Sequence, residues 1–240
     1  MERRAVLKGG LVLVGTATAA SIYKPAPGAP TFTGGSHWPS SPLPLPVPVE
    51  GGPLVFLSET QAALVGAIFD RLIPADDVSI GAVAAGCVTF LDHQLAGPYG
   101  KGSSRYSLGP FQRGTPEQGD QTPMGPAAYY QRGLGELEDC AKATYGKTFT
   151  ELAAAQQDAF LESMEAGKAR FRSIPSDTLF ALLIQNVKEG FLADPIYGGN
   201  KDMVGWKMIG FPGARYDYRA YVDRKGQALD LAPISLIGRI

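Results

Sequence analysis

Between Pro175 and Gly190 the chain carries Leu179, Phe180, Leu182, Leu183, Ile184 and Val187, and Pro175-Ser176-Asp177 ahead of them is a helix start signal. Apolar residues over most of a helix circumference demand partners on several sides, so this segment predicts a buried central helix and other helices packed around it.

Those other helices are visible in the same periodicity. Ser58 followed by Gln61 has capping-box spacing, and Leu57 can staple onto the next turn. Leu64, Val65, Ile68, Phe69, Leu72 and Ile73 then recur at helical intervals until Pro74. A second helix is expected from Ala82 to Leu95, ended by Gly97-Pro98. A third runs from Pro126 to Tyr145 with Gly146 past its end. The fourth spans Glu151 to Glu165 and stops at Gly167. Alternation of the strand kind is confined to Arg219–Val222. The expected fold class is all-α, an irregular bundle of about five helices with long Pro/Gly-rich arms and an extended N-terminal segment.

The arms follow from composition. Among 240 residues there are 30 glycines and 19 prolines, more than compact helices accommodate, while 45% apolar content supports one sizeable core. Residues 24–56 form an expected tether: prolines at 25, 27, 30, 39, 42, 44, 46, 48 and 53 favour extended polyproline II. It serves either as a spacer or as a strip laid along a partner, with His37 and Trp38 as anchors. The polar segment from Tyr99 to Pro126 is long enough to wrap another surface. The main domain is expected over 57–240.

The N-terminus, residues 1–23, has the layout of an export signal. Met1-Glu2-Arg3-Arg4 opens a charged head, Leu11–Ala20 is mildly apolar, and Ala17-Thr18-Ala19 suits cleavage. Arg3 and Arg4, followed by Ala5-Val6-Leu7-Lys8, make it a twin-arginine signal, although Glu2 stands where Ser or Thr is usual. That route carries folded, often cofactor-loaded proteins, yet the sequence has no dinucleotide fingerprint, phosphate loop, haem motif or cysteine cluster. The expectation is an escort that takes a loaded partner across.

Residues able to carry chemistry are few. Cys87 and Cys140 suit either a disulfide, worth on the order of 4 kcal/mol by loop closure, or two reduced thiols. Asp76-Asp77 suits a divalent cation or the cap of the next turn. His93 neighbours Asp92 in sequence, but adjacent helical residues face apart. Glu136, Glu138 and Asp139, with Arg132 and Lys142 in helical register, look like a solvated face. A net charge of -1 with no clustered basic face excludes nucleic-acid binding as the expected role. No catalytic, cofactor-binding or metal residues are expected in this chain.

One stretch remains, Asp194–Tyr221, in which aromatics, methionines and glycines alternate with charges. Its composition suits a contact surface, with Tyr197, Trp206, Met208, Phe211, Arg215 and Tyr218 as anchors, or a segment packed on the chain's own helices. The wording D-P-I-Y-G-G-N-K-D-M-V-G-W-K-M-I-G-F-P-G resembles the gluconate 2-dehydrogenase subunit 3 family, the small subunits of membrane-associated flavin dehydrogenases, with a looser likeness from Leu57 to Gly190.

The resemblance implies a non-catalytic subunit that binds a large flavin subunit of the glucose-methanol-choline type and works beside a multihaem cytochrome c. FAD and haem c would belong to those partners, with none in this chain. The complex would sit at the periplasmic face of the inner membrane and oxidise D-gluconate to 2-dehydro-D-gluconate, passing electrons to quinone. A glucose, fructose or sorbitol dehydrogenase subunit and an autonomous exported binding module are the alternatives.

Overall fold

The computed structural model describes residues 47–49, 51–103, 111–112, 114–115, 118, 122–215 and 217–236. Arg3, Arg4, the cleavage site, and the tether up to residue 46 lie outside them. Seven α-helices are present among the described residues: α1 Glu59–Leu72, α2 Cys87–Ala96, α3 Pro98–Lys101, α4 Pro126–Tyr145, α5 Ala154–Glu165, α6 Ser176–Leu192 and α7 Val204–Ile209. They contain no strand, and the only backbone pairings of sheet type are isolated bridges, Ala75 with Ile80 and Gly213 with Ile234. The chain is all-α.

Local signals set most boundaries. Ser58 and Gln61 close the reciprocal capping box on α1. Pro126 opens α4, and Gly146 at φ 70° ends it, in the left-handed conformation that favours glycine. Three expectations are corrected. The second helix begins at Cys87 and not at Ala82, because Gly86 takes φ 85°, which no helix interior accommodates. The fourth is split, a 3₁₀ turn Phe149–Glu151 preceding α5. Arg219–Tyr221 is a 3₁₀ turn, not a strand.

At the centre α6 buries Leu179, Leu183, Val187 and Phe191. It is not covered all round: Ala181, Gln185, Lys188 and Glu189 are exposed, and Leu182 and Ile184 are half-buried. α1 contributes Leu64, Val65, Ile68 and Phe69, and α4 contributes Tyr130, Leu134 and Leu137 to the same core. Gly133 is a notch in α4, since a Cβ there would meet Leu179 side-chain carbons at 2.8 Å. At the other end, Phe160 packs edge-on against Phe149 at 5.8 Å.

Two buried polar devices tie the layers. Asp92, 1% exposed on α2, accepts hydrogen bonds from the amides of Val55, Phe56 and Leu57 at 2.7, 2.9 and 2.7 Å. It holds the chain that enters α1 and satisfies donors that burial would otherwise strand. Asn186 on α6 accepts from the Tyr130 hydroxyl at 3.0 Å and donates to Tyr99 and Glu189, each at 2.8 Å. α3, α4 and α6 therefore share one hydrogen-bonded network.

Candidate partner interface

The stretch after α6 is built on its own backbone. Asp194 caps a 3₁₀ turn, Pro195–Tyr197, by accepting from the Ile196 amide at 3.0 Å. Val49, within the expected tether, donates its amide to the Ile196 carbonyl at 2.8 Å. Asn200 is fully buried with φ 48°, a left-handed conformation that asparagine tolerates better than other side chains. Its Nδ2 donates to the Ala193 carbonyl and its Oδ1 accepts from the Gly205 amide, both at 2.8 Å. One side chain thus bridges the end of α6 to the start of α7.

Glycines let the backbones touch. A Cβ on Gly199 would strike the Gly190 carbonyl oxygen, and one on Gly205 would strike that of Phe191. Trp206 is 5% exposed; its Nε1 donates to the Leu192 carbonyl at 2.7 Å, and its ring meets Phe211 edge-on at 5.2 Å. So Trp206 is an internal anchor and not a surface contact, which corrects that part of the expected interface. The first half of the stretch packs on the chain's own helices. It also includes a true helix, α7, despite its glycines.

The other expected anchors have different positions. Tyr197 (48% exposed), Met208, Phe211 and Tyr218 are on the surface. Arg215 is half-buried and donates to the carbonyls of Pro212 at 3.2 Å and Ala232 at 2.7 Å. Tyr197 borders a shallow apolar depression with Phe90, Leu192 and Ala193, near 650 Å³. Met208 borders a second, near 710 Å³, beside exposed Val78 and Ile80. Tyr197 and Met208 border different depressions, so the expected anchors do not line one pocket.

The remaining candidates are structural. Asp76 accepts from the amides of Val78 and Ser79 at 2.9 and 2.7 Å, which makes it the cap of its turn. Among the described residues no three His, Cys, Asp or Glu side chains converge to hold a metal ion. Asp92 spends its carboxylate on backbone amides and leaves half-buried His93 without it. Of the two readings of the cysteines, the structure carries the reduced one: Cys87 and Cys140 are both free. Cys87 lies in the core with its thiol donating to the Val187 carbonyl at 3.8 Å, whereas Cys140 lines a cleft between α4 and α5. Burial, with Asp70 adding to it, pushes the Cys87 thiol up to about 12.

The acidic run on α4 is not a plain solvated face either. Glu136 accepts from the Arg172 amide at 2.6 Å, the Ser173 amide at 3.0 Å and the Ser173 hydroxyl. Asp139 pairs with Arg172 at 3.0 Å, and Glu138 accepts from the Phe149 amide at 3.3 Å. Together they dock the loops around α5 onto α4. Sequence reasoning missed these roles, and those of Asp92, Asp194 and Asn200, because their partners are backbone groups and side chains that no local spacing points to. The one local hint was the Gly-Gly-Asn run, a composition that favours left-handed turns.

Residues 59–213 match the model of a family described as Gluconate 2-dehydrogenase subunit 3. The chain belongs to that family. Comparison with curated proteins and with solved structures finds no match. The family match opens at the capped start of α1 and closes at Gly213, just past Phe211. It therefore takes in the helical core, the Asn200 turn and Trp206. A chain of this family is a subunit of a dehydrogenase assembly, so its surface has partners to meet.

Proposed function

We propose that the chain is the small, non-catalytic subunit of a periplasmic, membrane-associated flavin dehydrogenase that oxidises D-gluconate to 2-dehydro-D-gluconate. It escorts the flavin subunit through twin-arginine export and stabilises it there, while a cytochrome c subunit passes electrons to quinone. The observation that carries this reading is the set of exposed apolar side chains, Tyr197, Met208, Phe211 and Tyr218, in a stretch whose Trp206 is already packed inside. Large rings on a rigid backbone desolvate much area at little entropic cost, which suits a lasting protein contact.

The flavin is assigned to the partner on grounds of fit. A dinucleotide cradle needs a strand feeding a glycine turn and a helix N-terminus, and the described residues contain no strand. Stabilisation then works by linkage: a subunit that binds only the folded flavoprotein draws the folding equilibrium toward it. The family match and the paired Arg3 and Arg4 both agree with an escort.

The test is affinity capture of the tagged chain from native membranes and periplasm, with an absorbance spectrum of what accompanies it. A large polypeptide with flavin bands that bleach on adding gluconate supports the reading. Bleaching only by glucose, fructose or sorbitol moves the substrate. A colourless single chain overturns the escort role in favour of an autonomous module.

A further inference from the structure

The cleft between α4 and α5 lies outside the interface stretch and has a volume near 480 Å³, in the range of small-molecule sites. The two helices form its walls, and the loop 168–172 lines a third side. That loop is fixed at both ends. The Lys168 and Ala169 amides donate to the Ser163 carbonyl at 2.8 and 3.0 Å. At the other end Glu136 on α4 accepts the Arg172 and Ser173 amides at 2.6 and 3.0 Å. A ligand therefore meets a wall that is already ordered, which lowers the cost of binding.

The charged lining consists of Glu136, Asp139, Lys168, Arg170 and Arg172. Both carboxylates are spent: Glu136 on the amides above and the Ser173 hydroxyl, Asp139 on Arg172 at 3.0 Å. Asp177, which approaches the loop beside Gly167, accepts from the Thr178 amide. Lys168 and Arg170 are exposed and make no ion pair among the described residues. The cleft thus keeps two unmatched positive charges, enough for one carboxylate or phosphate and too few for a polyanion.

The uncharged lining narrows the class. Ser163 and Thr144 donate their hydroxyl protons within their own helices, to the carbonyls of Phe160 at 2.7 Å and Cys140 at 2.8 Å. Their oxygens are left as acceptors, which suits a ligand carrying several hydroxyl groups. The half-buried rings of Tyr145 and Phe171 add apolar surface for its carbon skeleton. We propose that the cleft binds a small polyhydroxylated anion, a sugar acid or a sugar phosphate. Lys168 and Arg170 hold its charged group, Ser163 and Thr144 accept from its hydroxyls, and Tyr145 and Phe171 pack against its carbons. The site stands on the cleft alone; that a sugar acid is also the substrate of the assembly rests on the function proposed above.

The test exploits Cys140, which lines the same cleft, with buried Cys87 as the internal control. The full chain is alkylated with N-ethylmaleimide, a neutral reagent, and the modified cysteine is followed by mass spectrometry. Sodium gluconate and glucose 6-phosphate are titrated separately, against glucose and sodium sulfate, at matched ionic strength. One or both of the anionic sugars should slow Cys140 alkylation several-fold and saturably in the millimolar range, and glucose and sulfate should not. Slowing by gluconate alone makes the ligand a carboxylate, and slowing by glucose 6-phosphate alone makes it a phosphate ester. The double variant Lys168→Ala, Arg170→Ala should lose the effect, taken as the ratio of rates with and without ligand, while keeping wild-type circular dichroism. No slowing by either sugar anion, equal slowing by glucose or sulfate, or slowing retained in the double variant overturns the site. None of these readings involves the flavin subunit, so failure of the site leaves the escort reading to its own capture experiment.

Discussion

The indole nitrogen of Trp206 donates to the carbonyl of Leu192, the last residue of α6, at 2.7 Å. This bond pins α7 to the end of the central helix and satisfies a carbonyl that the helix terminus leaves without an intrahelical donor. Family likeness around Trp206 therefore reflects architecture before it reflects contact with a partner.

Trp206→Ala should destabilise the body by about 3 to 5 kcal/mol, the range for removing a buried ring. Trp206→Phe should cost less, on the order of 1 to 2 kcal/mol, by losing mainly the hydrogen bond. Urea unfolding followed by circular dichroism measures both. Wild-type stability in Trp206→Ala would return the residue to the surface.

Two glycine substitutions should have opposite signs. Gly199→Ala forces a Cβ into the Gly190 carbonyl and should cost about 3 kcal/mol or more, the scale of severe overpacking. Gly135 is an exposed position inside α4 with nothing within 4 Å of its Cβ direction. Gly135→Ala should therefore stabilise by about 0.5 to 1 kcal/mol. Unfolding midpoints of the pair provide the comparison.

Burial works against the charged form of Glu136, but hydrogen bonds from the Ser173 hydroxyl and from the Ser173, Arg172 and Ile174 amides overcome it and hold the carboxyl below its ordinary value of 4.5. The unfolded chain binds this proton more readily than the folded one, so the contribution is complete above that value and is lost as pH falls through the folded one. Stability measured from pH 6 down to pH 3 should fall more steeply for the wild type than for Glu136→Gln. Parallel curves would remove Glu136 from the acid limb.

The thiols should separate by reactivity. Cys87 is buried with its proton strongly held, so a thiol reagent should leave it untouched until the protein unfolds. Cys140, half-buried at the cleft, should react in the native state. Native and denatured titration with a chromogenic disulfide should find one and then two thiols per chain. Zero in both, recovered by reductant, would restore the bridge.

Legibility followed the range of the interactions. Ser58 with Gln61, Pro126 and Gly146 act within a turn, and each stands where its spacing puts it. The Cys87 start of α2 was missed because Ala82, Val83 and Cys87 keep helical spacing through a turn that only the positive φ of Gly86 reveals. Trp206 and Tyr197 belong to one motif with similar composition, yet one is buried and the other exposed. Composition reports that rings will be desolvated and is silent on whether this chain or another does it.

By itself the sequence determined the helical class, the capped ends of α1 and α4, the burial of Leu179, Leu183 and Val187, and the family, because periodicity, capping and motif wording are properties of neighbouring residues. Tertiary structure alone decided that Asp92 reaches the amides of 55–57, that Asn200 joins Ala193 to Gly205, that Asp194 accepts from Ser235, and that Cys87 and Cys140 stay apart. Each of these is set by where the packed helices bring separate segments, and a carboxylate or an amide has no local preference that names its partner across such distances.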